Sequence, residues 1–242
     1  MDLSLSYASI DWVESNLAAF EERMQVWLNS NVGLRIDELE SDISHNLLVA
    51  FERAQIPLAF SVELGAYINV IRSSLDILAT TIALHHKMPK IDRVQFPVAQ
   101  NACEFHARNF RGAYFIENLP IAERKKIESF MPYHEGKGLL WELHALDRAR
   151  KHRRLLAVET RPSNIKGYGW GSTIKGPNTI DKLNYRNGET ELGLVSKAVF
   201  KEEFRITAQI TIAEPGHLHG RNAIGAIRYL TNMAMDIIRA YN

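Results

Sequence analysis

Arg148, Lys151, His152 and Arg153 fall within six consecutive positions, in the segment LLWELHALDRARKHRRLL that runs from Leu139 to Leu156. An imidazole among cations has its protonated form disfavoured, so at neutral pH it can accept a proton. A guanidinium beside it can hold a phosphate or offset negative charge developing in a transition state. His152 as base and Arg148 as cation are the minimum for metal-independent cleavage of a phosphodiester by the adjoining 2′-hydroxyl. Lys151 and Arg153 add phosphate contacts. Arg72 and Asp76 are the supporting pair of this catalytic reading, one turn apart on the edge of an apolar helix. Unpaired buried charge costs several kcal/mol, so both need partners. A contact from Asp76 to His152 or Arg148 would satisfy that need and orient the imidazole.

The same residues have an architectural reading. Cations in the last turn of a helix offset its macrodipole, each by about 0.3–1 kcal/mol when exposed. Arg72, Asp76 and His152 then form a buried network that fixes helix register, and Arg150 and Arg154 are solvated.

Several elements must position these groups. On the Leu139 helix, Leu139, Leu143 and Leu146 are expected to face the core. Trp141, Ala145, Arg148 and His152 form one neighbouring stripe, and His144, Asp147 and Lys151 form another. The clearest helix follows Pro57 and Ser61. Its Leu64, Ile68, Ile71, Leu75, Leu78 and Ile82 recur at alternating spacings of four and three. Gly65, Asn69, Arg72, Asp76, Ala79 and Ala83 run beside that seam, where small side chains permit another helix to approach. An N-terminal helix is expected to begin at an Asp11–Glu14 capping box. A C-terminal helix starts near Asn222, with Ile224, Ile227, Leu230, Ala234, Ile237 and Tyr241 on one face. A long loop carries Phe96-Pro97.

Strands are expected around residues 47–52 and 204–212, the second alternating strictly, and Asn187-Gly188 marks a hairpin. The predicted class is α+β: N- and C-terminal helices in a bundle, with an antiparallel β element in the C-terminal half. Residues 1–156 are mainly helical with a strand pair near 34–53, residues 157–215 form the β element, and 216–242 pack back as a helix.

Composition narrows the function. Among 242 residues, 29 basic side chains balance 28 acidic ones, so any anion site is a local patch rather than a coat for nucleic acid. A single cysteine, Cys103, forbids an intrachain disulfide and reads as a small packed side chain. No apolar run approaches the roughly 18 residues of a membrane span, and the N-terminus lacks signal-peptide features. A cytoplasmic protein without membrane partners is expected. Glu214, His217 and His219 sit close together, but Pro215 and Gly216 indicate a turn, and the reading assigns no metal and no cofactor. P-loop, GxSxG and HExxH patterns are absent. Tyr168 and Trp170, in the glycine-rich stretch 164–178, would either offer stacking surfaces for unpaired bases or, as aromatics in such loops more often do, cap the edge of the core.

The run Ile71-Arg72-Ser73-Ser74-Leu75-Asp76, then Phe96-Pro97, Pro132-Tyr133 and Leu146-Asp147-Arg148 leading to Lys151-His152-Arg153, resembles a widespread bacterial family that pairs an LRSxLD helix with a later KHR helix. That resemblance implies the fold outline and no activity. The chain is also distantly similar to the HEPN helical bundles, many of them ribonucleases of toxin and defence systems. Their signature is an arginine and a histidine with four to six residues between. Here three separate Arg148 from His152. Two functions follow as expectations. One is a protein directed at RNA or another anionic ligand, with HEPN-like cleavage. The other is a non-enzymatic interaction or structural module, in which a homodimer is an allowed assembly.

Overall fold

Apolar residues spaced by three and four dominate both ends of the chain, and there the backbone is helical. A computed structural model describes residues 1–133, 138–152, 154–167, 185–186, 188–198 and 204–242, the side chains of His152, Tyr185 and Arg186 excepted. Its elements in chain order are α1 (Ser4–Asn31), β1 (Val32–Glu38), β2 (His45–Glu52), α2 (Leu58–His85), α3 (Ala102–Phe105), α4 (Ala113–Asn118), α5 (Ile121–Ser129), α6 (Leu139–His152), β3 (Val158–Gly167), β4 (Tyr185–Arg186), β5 (Glu189–Ser196), β6 (Phe204–Ile212) and α7 (Ala223–Arg239). The fold is α+β. It divides into two compact units.

The first unit comprises residues 1–20, 58–157 and 212–242. All six seam residues of α2 are buried. Trp12 and Phe20 of α1 pack their rings on Tyr67, and Phe20 also meets Phe60 edge-on. The predicted apolar face of α7 is buried, and the Asn222 side chain caps that helix by accepting from the Gly225 N–H at 2.8 Å. α2 packs against both α6 and α7. The first helix begins at Ser4 rather than near Asp11. Leu3, Ser6 and Ile10 extend the buried stripe backwards, and the Asp2 carboxylate accepts from the Ser4 N–H. What read as one long loop around Phe96-Pro97 contains a 3₁₀ turn (Ile91–Arg93) and the short helices α3 and α4.

Residues 21–57 and 158–211 make the second unit. Its four-stranded sheet has the order β1-β2-β5-β4 and antiparallel pairing throughout. β3 and β6 form a second, two-stranded sheet. Leu34, Leu48, Ala50, Leu192, Val195 and Phe204 share one core. The strands near residues 34–53 thus belong with the later β element: Leu48 pairs with Gly193, and their common core is buried only when the two segments meet. Gly188 takes φ +78°, as a tight hairpin between β4 and β5 requires. Asn187, Tyr168 and Trp170 lie outside the described residues.

Candidate functional site

Within the first unit, α2 and α6 supply one side of a cleft of about 540 Å³, and the segments around Gln95–Gln100 and Asn109–Arg111 supply the other. Arg72 and Asp76 line it from α2. Trp141, His144, Asp147, Arg148 and Lys151 line it from α6.

Arg72 and Asp76 form a clamp on the chain. The buried Arg72 guanidinium donates through Nη1 to Asp76 Oδ1 at 2.7 Å and through Nη2 to the Phe96 carbonyl at 2.9 Å. Asp76 Oδ1 also accepts from the Phe96 N–H at 2.8 Å. Both backbone groups of Phe96 are therefore held by one i, i+4 ion pair, while the Phe96 ring is completely buried. A few residues on, the Ala99 N–H donates to the Pro132 carbonyl. The motif pairs Arg72/Asp76, Phe96-Pro97 and Pro132-Tyr133 are thus tied into one strap, whose Gln95 and Val98 line the cleft.

Asp147 fastens the other helix. Its carboxylate is buried, accepts from Asn69 Nδ2 at 3.0 Å and pairs with Lys151 Nζ at 2.6 Å. A buried carboxylate held by an amide and an ammonium on opposite oxygens ties α6 to α2. Beside this link Gly65 permits close approach, since a Cβ there would stand 2.5 Å from Arg150 Cδ. Arg150 is consequently half-buried against α2 rather than solvated. Arg154 is exposed, as expected, and also makes a two-pronged pair with the buried Glu214 at 2.7 and 2.9 Å. Glu214 also accepts from the Ala157 N–H, which removes it from any metal-binding set with His217 and His219. Among the described residues, no cluster of three or more His, Cys, Asp or Glu side chains is placed to hold a metal ion.

His144 has the opposite character. Its imidazole makes no hydrogen bond to any described residue. Its pKa is pushed down to about 4, first by burial, then by the charges of Arg72, Arg148 and Lys151, with Asp147 acting in the other direction. The ring is therefore neutral at neutral pH, with a lone pair available to the cleft. Trp141 lies 5.9 Å from it, ring centre to ring centre, and the exposed Arg148 guanidinium sits 6.0 Å from the Trp141 ring. Neither Arg148 nor Arg111 has a carboxylate partner among the described residues.

Of the residues expected from sequence to form the site, Arg72, Asp76, Arg148 and Lys151 meet around one cleft. The His152 side chain and Arg153 lie outside the described residues. The residue overlooked was His144. Its signal is the stripe that it shares with Asp147 and Lys151, which lines the cleft beside the stripe of Trp141 and Arg148. Leu140, Leu143 and Leu146 are the buried leucines, whereas Leu139 is partly exposed. Cys103 is exposed, not packed. No described helix is long and apolar enough to cross a membrane. No family model, curated protein or solved structure matches this chain.

Proposed function

We propose that the cleft binds the phosphodiester backbone of RNA and cleaves it without a metal ion, with His144 as general base. The observation that carries this reading is a neutral imidazole without a hydrogen bond, beside the Arg148 guanidinium without a carboxylate, both among the described residues, in a cleft roomy enough for a ligand. In the step proposed, His144 takes the proton of a 2′-hydroxyl and the 2′-oxygen attacks phosphorus. The bond from phosphorus to the 5′-oxygen breaks, and the leaving oxygen takes a proton from solvent. A 2′,3′-cyclic phosphate and a 5′-hydroxyl result. Arg148 and Lys151 offset the charge that builds on the non-bridging oxygens. Arg72 and Asp76 hold the strap and touch no reacting atom. This is the chemistry that the HEPN similarity implies, carried by a different histidine.

A bound anion also strengthens the base. A phosphate among Arg72, Arg148 and Lys151 cancels part of the field that keeps the imidazole pKa low, so the pKa rises as substrate binds.

The test is incubation of the purified chain with labelled single-stranded RNA in the presence of EDTA, beside DNA of the same sequence. RNA ends in a cyclic phosphate, DNA stays intact, and His144→Asn slows cleavage by about 100-fold or more. Absence of both cleavage and salt-dependent RNA binding would sink the reading. The alternative, a non-enzymatic module, draws on the saturation of the Arg72–Asp76–Phe96 clamp, every charge of which is already used in holding the fold. It predicts no RNA affinity, with loss of stability as the sole consequence of breaking the clamp.

A further inference from the structure

A second cavity of about 680 Å³ adjoins the cleft in the same unit, and Gln95, Asn109, Phe110 and Arg111 line both. The two are thus separated by a shared wall rather than by a stretch of packed core. Beyond that wall the second cavity is lined by Arg93 and Arg108, both exposed and without a carboxylate partner among the described residues. Asp92 and Glu117 also line it, so its three arginines outnumber its carboxylates by one. A ligand carrying one phosphate is served by Arg148 and Lys151 in the first cavity alone. Unpaired guanidinium groups that continue past the shared wall suit a ligand whose phosphates repeat. At the junction Phe110 is buried and makes the shared wall apolar.

Building on the reading of the cleft as an RNA site, we propose that the two cavities form one groove for an extended single strand, with Arg111 at its middle and Arg93 and Arg108 gripping phosphates away from His144. The substrate class is single-stranded RNA several nucleotides long, and a mononucleotide or dinucleotide fills only the His144 end.

The experiment compares a uridine dinucleotide with a uridine decanucleotide, measuring affinity across a salt series and cleavage rate for the native chain and for Arg93→Gln/Arg108→Gln. Both substitutions are on the surface, and an unchanged unfolding midpoint checks that the variant folds. The double variant is expected to bind the decanucleotide at least about tenfold more weakly. The slope of log affinity against log salt should fall by about 1.4, at roughly 0.7 per lost phosphate contact on a single strand. Its handling of the dinucleotide should not change. An unchanged decanucleotide slope would overturn the groove, as would equal losses for the two lengths. Either result with native cleavage intact leaves the role of His144 standing. Failure of the native chain to bind either oligonucleotide would overturn both proposals. Length-dependent binding that needs Arg93 and Arg108, with cleavage unaffected by His144→Asn, would uphold the groove and remove the proposed base.

Discussion

Two polar clusters border the cleft and differ in how fully their groups are spent. On the α2 side, Arg72, Asp76 and the Phe96 backbone satisfy one another, and Asp147 is divided between Asn69 and Lys151. On the cleft face of α6, His144 bonds to no described residue, and the one ring or ion contact of Arg148 among the described residues is with Trp141. The saturated cluster contains Arg72, Asp76, Phe96, Asp147 and Lys151 of the sequence motifs, and what those residues do is bond to backbone and to one another. The unsaturated cluster contains what a ligand can use. Most of the described motif residues therefore mark where the chain is fastened, and the capacity for chemistry lies with Arg148 and its neighbour His144.

Breaking the saturated side has the largest expected effect. Asp76→Ala leaves the Arg72 guanidinium buried without its counter-charge and the Phe96 N–H without its acceptor. The cost of such an orphan is about 3 kcal/mol, less than for a fully buried pair because Asp76 is itself partly exposed. Urea unfolding measures this directly. A loss below about 0.5 kcal/mol would show that the clamp does not hold the strap. In the alternative Arg72→Met, both the charge and its desolvation are removed together, so the loss should be smaller than for Asp76→Ala.

Next in size is the pH response of the unsaturated side. The imidazole of His144 has a pKa near 4 in the folded chain and an ordinary one near 6.5 when unfolded. Between those values the unfolded state binds the proton and the folded state does not, so stability rises with pH across that window. The contribution is complete above pH 6.5 and is lost as pH falls toward 4. Lowering the pH from 7 to 5 should cost about 1–2 kcal/mol through this group, after discount for its partial exposure. His144→Asn should flatten that part of the curve. Identical curves for the two proteins would mean that the imidazole is not held neutral by its surroundings.

The helices were legible because their signals are local. The α2 seam, the Asn222 cap and the alternation of β6 each lie within a few turns or residues of chain. Partnering across the chain was not legible. Nothing in the Leu47–Glu52 run indicates that Leu48 will face Gly193, some 145 positions away, because many apolar alternations are equally able to pair. At the site, the i, i+4 relation of Arg72 and Asp76 was visible, but their partner is the backbone of Phe96, and backbone carries no residue-type signal. His144 was overlooked for a geometric reason. The stripe holding Trp141 and Arg148 and the stripe holding His144, Asp147 and Lys151 both line the cleft, and spacing along α6 does not rank one above the other.

The smallest expected effect bears on which groups control that imidazole. Arg148 is exposed and has no carboxylate partner among the described residues, so Arg148→Met should change stability at pH 7 by under about 1 kcal/mol, the worth of an exposed cation–π contact. Its influence on His144 is separable from that. With one of the three cations gone, the imidazole is protonated more readily, and its pKa as followed by NMR moves up from about 4. The acid limb of the proposed RNA cleavage should move up in pH with it, while Lys151→Met produces a smaller shift, in keeping with the order of the charges that depress this group. Arg72 is the larger influence, but its substitution also loosens the strap, so Arg148 is the cleaner probe. A variant with an unmoved imidazole pKa would place the cause in burial alone. The contrast between the two clusters would then be one of solvent access rather than of charge.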